Sequence, residues 1–121
     1  MNNSQYYIEL CKSLPRQKQL KAMKDASLEE LKAKLKDDET AEKVFAALQR
    51  STEGYLKIRK EQPEDGETQQ GWTYVFAEGL PLHLDTPEAW YSTSNIVWIN
   101  WDALMFGTQN SIYSFELYDN E

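Results

Sequence analysis

The only histidine in the chain, His83, stands two residues before Asp85 in the stretch LPLHLD. Residues two apart in a strand point to the same face, so these side chains could form the imidazole–carboxylate pair that a general base uses. An exposed histidine on the polar face of an edge strand fits the same pattern, and Pro81 favours an edge position. The sequence therefore predicts no catalytic residue, and an enzyme that uses His83 and Asp85 stays as an alternative.

Other reactive groups lack the neighbours that their chemistry requires. The single cysteine, Cys11, has no histidine nearby and lies on an apolar stripe of helical spacing, which favours a buried, reduced residue. One histidine and one distant cysteine do not provide the ligand spacing of a metal site, and the sequence has no glycine-rich phosphate loop. We therefore expect neither a metal ion nor a cofactor.

The charges of the chain are divided between its two halves. Residues 1–60 hold all 13 lysines and arginines and nine acidic residues, which gives +4. Residues 61–121 hold 11 acidic residues and no lysine or arginine, which gives −11 and a net charge of −7. A surface of this kind repels nucleic-acid phosphates and attracts cationic surfaces. Since the lysines of the first half are interleaved with acidic residues, we expect a basic protein partner and no direct binding of nucleic acid.

The distribution of apolar residues bears on the compartment. No apolar run approaches the roughly 20 residues that span a bilayer, and the first residues lack the basic and apolar segments of a secretory signal. A single cysteine also cannot form an internal disulfide. These features predict a cytoplasmic protein that does not contact a membrane.

All four tryptophans lie between residues 72 and 101. Trp98, in the apolar stretch NIVWINW, is expected to be in the core, but a sheet built from residues 72–121 is too small to bury every ring. Aromatic side chains beside carboxylates suit a protein-binding surface, with the rings as anchors and the charges steering association. The predicted partner-binding residues come from an expected exposed connection at 85–88 and from the end of the most apolar strand: Asp85, Glu88, Trp90, Tyr91, Trp101 and Asp102.

The first sixty residues show helical periodicity. Ser27 and Glu30 have the spacing of a capping box, and the acidic run that begins at Asp37 is typical of a helix N-terminus. Apolar residues then recur at helical spacing, which predicts a last helix reaching about Lys60. The sequence thus predicts a helical region over residues 1–60.

Residues 61–71 are polar and contain Pro63, which predicts a linker or exposed loop. After it the apolar period changes to two, which predicts strands near residues 72–77, 80–84, 95–101 and 111–118 and a single helical turn at 86–91. The predicted fold is α+β: a helical N-terminal half of three to four helices packed with a small, mainly antiparallel sheet of three to five strands. The acidic, aromatic-rich β region over 72–121 and the helices are expected to form one folded unit, with sequential pairing of the strands.

These features favour a small non-catalytic binding protein that masks a basic surface of a protein partner, such as a nuclease or another nucleic-acid-binding protein. In size, acidity and α+β composition the chain resembles many bacterial immunity proteins, phage inhibitors of host enzymes and secretion chaperones. The alternative is an acidic, dimeric chaperone or adaptor for a secreted or assembled protein. Both a monomer and a homodimer are compatible with the sequence.

Overall fold

Four helices precede six strands in the computed structural model, which describes residues 3–64 and 66–118. The helices are α1 (Asn3–Lys12), α2 (Pro15–Asp25), α3 (Leu28–Lys34) and α4 (Asp38–Gln49). The strands are β1 (Thr52–Gln62), β2 (Thr68–Phe76), β3 (Pro81–Asp85), β4 (Trp90–Asn100), β5 (Met105–Thr108) and β6 (Ile112–Tyr118). None of these helices has the length and apolarity that a membrane crossing requires.

The strands form a closed antiparallel barrel in the order β1-β2-β3-β4-β5-β6. The predicted small open sheet of three to five strands is therefore wrong. The barrel closes because β1 pairs with β2 on one side and with β6 on the other. The prediction missed β1, which comes from the first half of the chain, and the short β5. The sequential pairing of the strands agrees with the prediction.

The last helix ends at Gln49, so the helix predicted to reach Lys60 is wrong. In β1, Leu56 and Ile58 are buried in the barrel, while Lys57 and Arg59, which alternate with them, are exposed. This alternation has the period of a strand. The sequence predicts a helix here because the same apolar residues also continue the three- and four-residue spacing of α4.

The predicted caps at Ser27 and Asp37 are confirmed. The hydroxyl of Ser27 accepts from the Glu30 N–H, and the Glu30 carboxylate accepts from the Ser27 N–H, both at 3.2 Å. At α4 the Asp37 carboxylate accepts from the N–H of Thr40 at 2.7 Å. Each bond satisfies a backbone donor that the helix itself leaves without a partner.

Two predicted connections differ from the structure. The segment 61–71 contains the end of β1 and the start of β2, so only its middle is a loop between paired strands. The helical turn predicted at 86–91 is a tight turn between β3 and β4, in which the Thr86 N–H donates to the Ala89 carbonyl at 2.8 Å.

The molecule has two apolar cores, one inside the barrel and one between the helices and the barrel. The interior is filled by alternate residues of the strands: Leu56, Ile58, Phe76, Leu82, Leu84, Ile96, Phe106, Tyr113 and Phe115. Val75 of β2 and Ala77, which follows the strand, lie on either side of Phe76 and pack instead against Leu20, Leu31 and Leu48 of the helices. The helices therefore cover the outer face of β2. Arg16 of α2 reaches the start of β4, but Val97 and Trp98 in the second half of β4 are exposed.

Candidate functional site

The six predicted partner-binding residues fall into two groups that lie far apart. Trp90 is the first residue of β4, and Trp101 follows the last residue of that strand. The eleven residue steps from Trp90 to Trp101 cover about 36 Å at a rise of roughly 3.3 Å per residue. The structure therefore does not bring the residues from Asp85 to Tyr91 together with Trp101 and Asp102.

In the first group, Asp85 is not part of an exposed connection. It is only 5% exposed, and its carboxylate accepts from the side-chain amide of Gln17 at 2.8 Å. Gln17 is fully buried and also donates to the carbonyl oxygen of His83 at 3.3 Å. Because α2 lies over the outer face of β3, the expected exposure of Asp85 is wrong.

The other residues of the first group differ in exposure. Trp90 is 66% exposed, and the guanidinium of Arg16 lies over its ring at 5.0 Å, so a cation of the protein itself already occupies one ring face. The Glu88 carboxylate accepts from the hydroxyl of Tyr7 at 2.8 Å. Tyr91 packs against the barrel core, with its hydroxyl 3.1 Å from that of Tyr113. Only Trp90 and Glu88 are exposed as predicted.

His83 is held by residues of α2 and β4. Its Nδ1 lies 3.1 Å from a guanidinium nitrogen of Arg16 and 2.7 Å from the hydroxyl of Ser92. Arginine can only donate, so Nδ1 is an acceptor and the ring proton is assigned to Nε2. Burial lowers the pKa of His83, and the positive charge of Arg16 lowers it further. Within the described residues His83 and Asp85 share no hydrogen bond. His83 bonds instead to Arg16 and Ser92, and Asp85 bonds to Gln17.

The second group belongs to a well-defined turn after β4. The side-chain oxygen of Asn100 accepts from the N–H groups of Asp102 and Ala103, both at 3.0 Å. Leu104 has a φ of 56°, which is unusual for a residue with a branched side chain, and its carbonyl accepts from the Phe115 N–H at 2.9 Å. Side-chain and backbone bonds thus fix the turn in a conformation that strains Leu104.

Trp101 closes one end of the barrel core. Its ring packs edge to face on Phe76 at 5.6 Å and on Phe115 at 5.5 Å, yet it is still 46% exposed. On β4, Trp98 lies across Gly107 of β5, where a Cβ atom would overlap the indole ring. Trp98 is 37% exposed on the outside of the barrel, so its predicted place in the core is wrong.

Four large apolar side chains are exposed within eight residues at this end of the β4–β5 hairpin. We call them the β4 apolar surface: Val97 (55% exposed), Trp98 (37%), Trp101 (46%) and Leu104 (43%). Of these four residues, only Trp101 is a predicted surface residue. The exposure of the others depends on tertiary contacts, because the apolar pattern of β4 is the same whether or not a helix packs on it.

Charges of both signs border the β4 apolar surface. Asp102 and Glu78 are exposed, and the Glu78 carboxylate accepts from the Ile99 N–H at 2.9 Å. Arg50 lines a cleft with Trp101, and Arg59 lines a second cleft with Leu104. The basic and acidic halves of the sequence are therefore not fully separated in the fold, because β1 places basic residues on the outside of the barrel.

No group of three or more histidine, cysteine or acidic side chains in the described segments is arranged to hold a metal ion. Comparisons of the chain with protein-family models, with curated proteins and with solved structures found no match. The inference of function therefore depends on the geometry of the molecule itself.

Proposed function

We propose that this chain is a small non-catalytic cytoplasmic binding protein that covers a basic surface of a protein partner, as an inhibitor or immunity protein does. The observation that carries the proposal is the β4 apolar surface. Exposed apolar side chains that cluster on a monomer are typical of protein–protein contact sites, and tryptophan is enriched among the residues that dominate binding. The strained backbone of Leu104, held by fixed hydrogen bonds, supports a functional role for this turn.

The basic character of the partner is inferred from the charge of the whole molecule. The net charge is −7, and residues 61–121 contain no lysine or arginine. Such a molecule attracts cationic proteins over long distances and speeds their association. A nuclease or another nucleic-acid-binding protein presents the required basic surface. Asp102 lies within the turn and is the carboxylate best placed to meet it.

The test begins with affinity capture and mass spectrometry, followed by binding measurements on the purified partner. Leu104→Gly removes an exposed anchor and relieves the strained φ, so it should weaken binding by at least about fivefold without loss of stability. Leu10→Ala is the matched control, since it shortens another exposed leucine on α1.

The charge component is tested separately. Asp102→Lys should slow association and reduce its salt dependence more than Glu42→Lys, which makes the same charge change on the exposed side of α4. Neutral or acidic partners, or an affinity that does not fall as salt rises, would contradict the masking function.

A dimeric adaptor remains a second candidate because Val97 and Trp98 are exposed on the outer face of a strand. Barrel closure leaves no free sheet edge, so a dimer of this fold would have to pair these faces. Light scattering distinguishes the two functions: a stable dimer that Trp98→Ala dissociates favours the adaptor, and a monomer favours the inhibitor.

A further inference from the structure

A cleft between α1 and the outer face of β1 lies apart from the β4 apolar surface. Its volume is about 670 Å³, and its walls include Tyr7 and Ile8 of α1, Tyr55 and Lys57 of β1, and Tyr118 of β6. Sites for small molecules commonly have volumes of roughly 300–1,000 Å³, with apolar and aromatic walls and a few polar groups. The cleft has both the size and the lining of such a site.

Three tyrosine rings line the cleft. The Tyr55 centroid lies 6.4 Å from that of Tyr7 and 6.5 Å from that of Tyr118, with interplanar angles of 62° and 56°. Neither pair is stacked in parallel: Tyr7 and Tyr55 meet edge to face, and Tyr55 and Tyr118 are tilted. The hydroxyl of Tyr7 donates to Glu88 at 2.8 Å, and that of Tyr118 donates to Glu116 at 3.0 Å. These bonds fix the two outer rings before any ligand binds, which reduces the entropy lost on binding.

One cation stands beside these rings. Lys57 follows Tyr55 by two residues on the same face of β1, and its cross-strand neighbours are Gln70 of β2 and Glu116 of β6. In the described part of the chain its ammonium group has no salt-bridge partner within 4.0 Å. Gln70, which also lines the cleft, adds an amide that can donate hydrogen bonds. The polar end of the cleft therefore suits an anionic group.

We propose that this cleft binds a small molecule with a flat aromatic body and one anionic group. The body packs against Tyr55 and Tyr118, and the anion pairs with Lys57. A cationic ligand fits less well, because Lys57 repels it and Glu88 and Glu116 already accept hydrogen bonds from the tyrosines. This site is separate from the β4 apolar surface and uses none of its residues.

The test uses 8-anilinonaphthalene-1-sulfonate, a fluorescent aromatic anion, and N-phenyl-1-naphthylamine, which has the same rings without the sulfonate. One molecule of the anion should bind per folded chain. Lys57→Gln should weaken its binding about tenfold and leave the neutral probe unchanged. Tyr118→Ala should weaken both probes at least fivefold, because it removes a wall that the two ligands share.

Matched controls come from neighbouring residues outside the cleft. Arg59→Gln removes a positive charge from the same strand, and Tyr6→Ala removes an exposed ring from α1; both should leave the affinities unchanged. Lys57, Tyr118 and the control positions are exposed, so the variants should melt as the parent does. The proposal is overturned if the anion does not bind, if Arg59→Gln weakens it as much as Lys57→Gln, or if Tyr118→Ala has no effect.

Discussion

Replacing Gln17 with leucine is expected to lower the melting temperature by roughly 12 °C. Gln17 is fully buried and joins α2 to two strands. Its carbonyl oxygen accepts from the Tyr74 N–H at 3.1 Å, and its amide donates to the Asp85 carboxylate at 2.8 Å and to the His83 carbonyl at 3.3 Å. The whole side-chain amide is therefore engaged in the interior.

The magnitude follows from the groups that lose this partner. Leucine has a similar volume, so packing changes little, but the Asp85 carboxylate, the Tyr74 N–H and the His83 carbonyl each lose a bond. A buried polar group without a partner costs about 1–3 kcal/mol, so three such groups at the lower end of that range cost about 3 kcal/mol in total. An unfolding entropy of about 2.1 cal/mol/K per residue amounts to about 0.25 kcal/mol/K for this chain, and the ratio gives the expected 12 °C.

Circular dichroism during heating measures the effect. Gln19→Leu, at an exposed position of the same helix, should change the melting temperature by no more than about 2 °C. The double variant Gln17→Leu/Asp85→Leu removes the carboxylate that the single variant leaves without a partner, so it should be about 1–2 kcal/mol more stable than Gln17→Leu. If Gln17→Leu melts like Gln19→Leu, the interior hydrogen bonds do not stabilise the fold as argued.

Three further predictions concern the cap, the histidine and the cysteine. Ser27→Ala removes half of the capping box and should lower the free energy of unfolding by about 1 kcal/mol; an unchanged urea midpoint would contradict this. Burial and Arg16 lower the pKa of His83, so near pH 6 the unfolded chain binds more protons than the folded one, and stability should fall as the pH drops from 7 to 5. In urea unfolding, the free energy of unfolding should fall less over that pH range in His83→Gln than in the parent protein. An equal fall in both proteins would assign the pH dependence to other groups. Cys11 is fully buried, and burial raises its pKa to about 11, so Ellman's reagent should react with it only as the protein unfolds. Immediate reaction in native buffer would show that the thiol is accessible.

Local patterns in the sequence were sufficient for several elements. The caps at Ser27 and Asp37 involve residues three positions apart, so the sequence contains both partners of each bond. Alternating apolar residues marked the strand that contains Phe115, because Tyr113 and Phe115 face the barrel interior and the residues between and after them do not. Short connections favoured sequential antiparallel pairing, which the barrel has.

The candidate site depended on contacts that local patterns do not contain. The bond that buries Asp85 joins residues 68 positions apart, and the exposure of Trp98 depends on which strand the helices cover. Residues 55–58 fit a helix or a strand equally well by spacing. They form a strand because β2 and β6 both offer backbone groups that need partners, and pairing with β1 satisfies both edges at once. The sequence by itself determined the helix caps, most strands and the acidic charge. Barrel closure and the position of the helix layer decided which of its tryptophans and acids face solvent, because both depend on contacts between distant parts of the chain.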